Sequence, residues 1–367
     1  MSTPRWAQIG LLLVLVAIYG AAPVVWLDEL RTEQRRGACF SSDGQFLARA
    51  TDRGCAIFDL TTGTATHLAC SGQLAFSGDA SLLACGTQTG LAVWDWRRGQ
   101  RLFSWDNGNP RALLLVAVST DGAHVAAADD SSLRVWEVRT AKLLVTIPLP
   151  YRHASLAFSP DGKLVALGGT ETKAAGVRTH EVKLWTVAEG AVHAVLVGPE
   201  YCHVNAIAIA PDGKTLASAL SINAVRLWDI SERREIWKTS VPVSYGALAF
   251  SPDGKHLASA GLGGGVTVLD TLRPQERRDL RLPPGCIIDA VGPAPAPAQF
   301  LIAAGDQVYS VSPGDGEAIV VHRDLRSRLW LWVLLVVLGV WVVLWSVVAW
   351  TLRSGLPVPA ALIVGDW

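Results

Sequence analysis

The chain carries no net charge, since 32 Lys and Arg offset 32 Asp and Glu, and this removes the basic footprint expected of a nucleic-acid partner. Its 8 His are scattered, and its 6 Cys (Cys39, Cys55, Cys70, Cys85, Cys202 and Cys286) show no short Cys or Cys/His spacing, which argues against a zinc site. No GxSxG elbow, P-loop, HExxH pair or dinucleotide fingerprint stands in a suitable context, so no catalytic residue, metal or cofactor is expected. The glycine run Gly261 to Gly265 reads as a loose turn, because a phosphate cradle needs a helix N-terminus behind it. Most of the cysteines fall in or beside expected strands and read as small buried hydrophobes of a reduced compartment.

What the sequence does have is a repeat. Its clearest copy runs from Phe250 to Asp270: a turn through Ser251-Pro252-Asp253-Gly254, a small-residue strand around Leu257 to Ala260, and an alternating strand, Val266 to Asp270. Pro presets φ, Asp bonds the backbone two residues on, and Gly accepts a positive φ, so the turn has a physical cause. Weaker copies begin at Phe40, Phe76, Val118, Phe158 and Ile209, spaced by roughly 40 residues. Each copy leads to a second mark: Phe58-Asp59, Trp94-Asp95, Trp136-Glu137, Trp185-Thr186, Trp228-Asp229 and Leu269-Asp270. A degraded seventh unit remains readable, with Phe300 to Gly305 as its second strand and Gln307 to Val311 as its third.

These residues make residues 37–323 resemble WD40-repeat proteins, whose units of about 40–45 residues each form a four-stranded propeller blade. The resemblance implies an all-β, seven-bladed WD40-type β-propeller. It also implies a polar network in each blade, built from a Gly-His pair, an Asp between second and third strands, and the Trp. No Gly-His dipeptide occurs here, and the turn position falls on residues such as Thr89 and Ser131, so that network is expected to be missing. The repeated Asp43, Asp79, Asp121, Asp161, Asp212 and Asp253 occupy one turn in successive blades and are expected to lie apart around the ring, not to pair for acid–base chemistry.

Outside the repeats, residues 1–6 form a tail and residues 7–27 an uncharged apolar run, bracketed by Trp6 and Trp26 and long enough to cross a bilayer. A cleaved signal peptide competes for this segment, but Pro23 and the continuing run through Leu27 favour an uncleaved anchor. Residues 28–36 link it to the ring. Residues 324–328 lead to a second apolar run, 329–352, and residues 353–367 form a tail. Trp341 and Trp345 share one face of the second helix, toward lipid or toward the first helix, where Ala17, Gly20 and Ala21 permit close approach. Arg31, Arg35, Arg36, Arg323, Arg326 and Arg328 on the propeller side outnumber Arg5 and Arg353, which predicts a two-pass membrane protein with a cytoplasmic propeller.

Blade seven takes all its strands from the C-terminal side, so pairing of the two helices is the expected latch of the ring. A polar insertion, Thr170 to Thr179, is expected to project from blade four, and the Pro293 to Pro297 stretch to replace the usual turn in blade seven. In WD40 proteins the interblade loops and the loops between second and third strands share one face. The residues placed on that face here are Trp105, Arg111, Tyr151, Arg152, His153, Tyr201, His203 and Tyr245, types enriched at binding hot spots or able to wedge between blades. The functional expectation is a non-catalytic scaffold that holds a protein or peptide partner at the membrane, with its helices in lipid. The alternative keeps the fold and changes the side: an exported, anchored propeller that binds a small ligand or envelope component, or catalyses a reaction no motif announces.

Overall fold

The computed structural model describes residues 37–322, apart from 52–53, 71, 88, 109–113, 150–151, 173–177, 201, 242–246, 262–263, 284–287, 297–298, 306 and 313–318. The chain divides into two compact units, Met1–Val321 and His322–Trp367, and of the second only His322, the end of the last strand, is described. Both apolar runs expected to form membrane helices lie outside the described residues. Among the described residues no helix is long and apolar enough to cross a membrane.

The first unit is a ring of seven four-stranded antiparallel sheets, each built from four consecutive strands. Blade 1 spans Ala38–Leu68, blade 2 Gln73–Asp106, blade 3 Leu115–Pro148, blade 4 Arg152–Glu200, blade 5 Val204–Ser240, blade 6 Leu248–Arg281 and blade 7 Ile288–His322. The innermost strands are β1 (Ala38–Phe40), β5 (Gln73–Phe76), β9 (Leu115–Val118), β13 (Arg152–Phe158), β17 (Val204–Ile209), β21 (Leu248–Phe250) and β25 (Ile288–Pro293). Each touches the next, and β25 touches β1, so the ring is closed. Blade 7 is complete as expected, with β26 (Phe300–Ala304) and β27 (Gln307–Val311) where the sequence placed them.

The repeated turn works through one buried hydroxyl. Ser41, Ser77, Ser119, Ser159 and Ser251 each donate to the Asp two residues on, at 2.5–2.6 Å. Each also accepts the N–H five residues on, at 2.9–3.0 Å, and so locks the start of the second strand. The Asp accepts the backbone N–H two residues on in six blades, at 2.8–3.1 Å. In blades 1 and 3–6 the closing glycine sits at φ between 67° and 71°, and blade 2 uses Ala80 instead, at 54°. The serine bond leads the effects that hold Asp121 and Asp161 below the usual carboxylate range. For Asp79 and Asp253 burial opposes the charge, and the serine and backbone bonds outweigh it.

A four-stranded blade exposes two faces, and its neighbours cover them. Six apolar cores lie one between each successive pair of blades from 1–2 to 6–7. At the seam between blades 7 and 1 the Arg49 guanidinium meets Asp289 at 3.1 Å, both largely buried. Gly292 is required there, because a Cβ on it would lie 2.6 Å from the Phe40 Cβ. The seam therefore has close contacts of its own, independent of the expected helix latch.

Three expectations change. The insertion in blade 4 is not all loop: β14 (Leu164–Thr172) and β15 (Arg178–Thr186) extend into it, pairing Thr172 with Arg178, and only 173–177 lie outside the described residues. Alternating residues with strand propensity make extension of the ladder cheaper than a free loop. The Pro293 to Pro297 stretch does turn, since Ala294 N–H donates to Gln299 O at 3.1 Å and Gln299 N–H to Ala296 O at 3.2 Å. Finally, Cys70 in the connection from blade 1 to blade 2 is joined to Cys85, with Cα atoms 6.2 Å apart. Cys39 and Cys55 remain thiols in the same interblade core; burial pushes Cys55 up to about 12 and, with Cys55 nearby, raises Cys39 further. Cys202 is a buried thiol and Cys286 lies outside the described residues.

Blade 5 has Ala210 where the turns of blades 1–4 and 6 have Ser, and its Asp212 accepts from backbone N–H groups. Ala210→Ser is expected to stabilise the ring by about 0.5–1.5 kcal/mol in denaturant unfolding, whereas Ser119→Ala should cost about 1–3 kcal/mol by stranding Asp121 and the His124 N–H.

Candidate protein-interaction site

One face of the ring gathers the interblade connections and the turns between second and third strands, as the WD40 resemblance implied. Asn107 N–H donates to Thr89 O at 2.7 Å, Leu149 N–H to Ser131 O at 2.8 Å, and Val241 N–H to Asn223 O at 3.0 Å. In blade 5 the exposed His203 donates its N–H to Ser221 Oγ at 3.0 Å, and Ser221 N–H returns to His203 O at 2.9 Å. The exposed Ile222 adjoins this pair in the turn.

The sequence-derived site residues fare differently. Trp105 is not in a loop but in β8 (Gln100–Asp106), the outermost strand of blade 2. Its ring lies 5.2 Å from that of Trp136 in blade 3 and carries the Arg134 guanidinium at 4.6 Å, so it wedges between blades. Alternating polar and apolar residues continue past the expected loop boundary, and the contacts with Trp136 and Arg134 hold the end of the strand. Arg152 and His153 lie on β13, opposite Thr170 and Gly169, and their side chains are not described. Arg111, Tyr151, Tyr201 and Tyr245 lie outside the described residues.

The polar network expected to be missing survives in pieces. In blade 5 the Trp228 indole donates to Ser218 Oγ at 2.9 Å, with both buried. In blade 2 the register places Cys85 where blade 5 has Ser218, and the buried Trp94 Nε1 finds no acceptor. Blade 6 keeps the hydroxyl as Ser259 but has Leu269 in place of the Trp, and Ser259 Oγ is likewise unmatched. Blade 3 uses a different acid: the buried Asp129 accepts from Ser131 Oγ at 2.7 Å, Ser131 N–H and Ser132 N–H at 2.8 Å, and Arg134 at 2.9 Å. Burial opposes its charge, yet these donors hold its carboxyl down at about 2.

A cavity of about 320 Å³ opens at the rim between blades 1 and 2. Its floor is Phe46, Ile57 and Trp96, and Thr66, Asp59 and Arg97 complete the wall. Trp96 donates to Ala80 O at 2.8 Å, and Arg97 lies 5.2 Å above the rings of both Phe46 and Trp96. Trp96 and Arg97 follow the Trp94-Asp95 mark and have no place in the repeat pattern. Comparing copies exposes them, since Val138, Val187, Ile230 and Thr271 follow the corresponding dipeptides elsewhere. Among the described residues no group of three or more His, Cys, Asp or Glu could hold a metal ion.

Residues 192–229 match the family described as WD domain, G-beta repeat. The match covers the outermost strand of blade 4 and the first three strands of blade 5, including the Trp228–Ser218 bond. The chain is also similar to Cilia- and flagella-associated protein 52 of Chlamydomonas reinhardtii, with 26% identity over 160 residues, or 42% of this chain. The aligned stretch spans 24% of that relative's length. The fold is a seven-bladed β-propeller, and residues 192–229 within it match a WD40 repeat.

Acid should weaken blade 3. Asp129 sits at about 2 when folded and near 3.9 when unfolded, so its contribution is complete above about pH 4 and disappears as the pH falls through about 2. Asp129→Asn is expected to lower stability at pH 7 and to flatten the acid side of the stability profile, measured by denaturant unfolding across that range.

Proposed function

We propose that this chain is a non-catalytic scaffold, tethered to the membrane by residues 7–27 and 329–352, whose propeller holds a protein partner. The observation that carries this reading is the loop-bearing face, where connections and turns are hydrogen-bonded together and leave His203 and Ile222 exposed. WD40 propellers generally bind proteins, and the turn carboxylates that might have served chemistry are already engaged in holding strands. The arginine excess beside both apolar runs supports a cytoplasmic ring. The association with cilia and flagella belongs to the relative's name; for this chain it supports a place in a larger assembly and no more.

One observation favours the exported alternative. The Cys70–Cys85 disulfide suits an oxidising compartment and would persist poorly in a reduced one. Protease accessibility in sealed vesicles, read with the intact mass of the N-terminus, separates the two. Cleavage of the ring only in inside-out vesicles, with residues 1–27 retained, is the expected result; cleavage in right-side-out vesicles would move the ring outside. Changing Tyr151, Tyr201 and Tyr245 together to Ala should abolish partner capture at the membrane without altering thermal unfolding. An equal loss of stability would return these rings to wedging between blades.

A further inference from the structure

The rim cavity between blades 1 and 2 lies beside a small residue of the outer strand. In the ladder between the third and fourth strands, Thr66 of blade 1 stands opposite Ile57. At the matching register blade 2 has Phe103 opposite Val93 and blade 5 has Trp237 opposite Leu227, whereas blades 3, 4 and 6 have Val145, Ala194 and Arg278. Those rings fill the grooves to the next blade: Phe103 packs beside Trp136 at 6.3 Å, and Trp237 donates to Thr271 O at 2.7 Å. Blade 1 offers a hydroxyl instead, over a floor of Phe46, Ile57 and Trp96 that is otherwise buried.

The groove is also charged in a specific way. Arg97 is exposed, held face-on by two rings, and has no carboxylate within ion-pair reach among the described residues. Its guanidinium edge thus remains available for a carboxylate. Asp59 on the opposite wall accepts Thr61 N–H at 2.8 Å, Thr61 Oγ1 at 2.6 Å and Thr62 N–H at 3.0 Å, all through Oδ1. These bonds, that of the Thr61 hydroxyl foremost, hold its carboxyl at about 2. Arg97 is the cation of the groove. Beside it runs β4 (Ala65–Leu68), the outer edge of its sheet, with Thr64 and Thr66 at the cavity wall.

We infer that this groove is a second docking site, for an extended partner segment carrying an aromatic residue and, two residues away, an Asp or Glu. The segment adds along the free edge of β4, where residues i and i+2 point to one side. The aromatic ring enters the space that Phe103 and Trp237 fill in their own blades, and the carboxylate meets Arg97. This rests on the scaffold reading and names the partner chemistry for one surface of it, remote from the loop-bearing face in its residues and in its test.

The experiment uses the full-length chain in detergent and a fluorescein-labelled Thr-Phe-Thr-Asp-Thr peptide, read by anisotropy, with Thr-Ala-Thr-Asp-Thr and Thr-Phe-Thr-Lys-Thr as controls. The Phe/Asp probe should bind and both controls should bind about tenfold more weakly. Thr66→Phe should abolish binding while raising the melting temperature, because it fills the groove from within. Arg97→Glu should keep the melting temperature and reverse the preference toward the Lys probe. Undiminished binding in Thr66→Phe, a lowered melting temperature in that variant, or unchanged charge preference in Arg97→Glu would each overturn the proposal. If the probe fails on the unaltered chain while the triple tyrosine variant still loses its partner, the groove proposal falls and the scaffold reading stands.

Discussion

A twisted four-stranded sheet with small and branched residues on both faces is insoluble alone, and burial of those faces against two neighbours is what the whole ring depends on. Six apolar cores sit between successive blades, and no blade has a complete core of its own. Burying each Leu, Val, Ile or Trp contributes roughly 1.5–3 kcal/mol, so the interfaces outweigh any single polar contact. The polar groups act on geometry. A buried serine hydroxyl and its aspartate set where each second strand begins, and this brings successive blades to a common pitch. Closure follows when blade 7 reaches blade 1, with Gly292 admitting Phe40 and Arg49 meeting Asp289.

Much of this was legible in the sequence because its causes are local. Pro, Asp and Gly define a turn within four residues, and alternation defines the strands that follow, so even the degraded blade 7 could be placed. The failures have non-local causes. Trp105 was assigned to a loop, yet its place is decided by Trp136 and Arg134 of the next blade. The insertion in blade 4 lengthens two strands because each finds the other, a pairing no single-strand pattern displays. Cys70 and Cys85 looked like ordinary small hydrophobes, and only the packing of blade 1 on blade 2 joins them. The polar network was judged from a missing dipeptide, whereas Trp228 bonds Ser218 within its own blade and Asp129 serves blade 3 from a different position.

The repeats differ most usefully where they break their own rules. Blade 2 has a Trp without its hydroxyl, blade 6 a hydroxyl without its Trp, and blade 1 a Thr where an aromatic ring would seal the rim. The first two are buried and affect stability alone. The third reaches the surface beside a free sheet edge and an arginine with no ion pair among the described residues, and this turns an interruption of packing into a surface that another chain can complete. A scaffold built this way has two distinct kinds of surface: loops on one face, and a groove at the rim.

The central claim is that rings of the fourth strand seal the outer grooves of blades 2 and 5, and that the groove beside Thr66 of blade 1 is unsealed. Native-state hydrogen exchange on the full chain tests it most directly, by comparing amides of residues 65–68 with those of residues 100–106 and 234–240. The account predicts that the blade 1 strand opens at a distinctly lower free energy than the outer strands anchored by Phe103, Trp105 and Trp237. Equal protection of all three strands would contradict it.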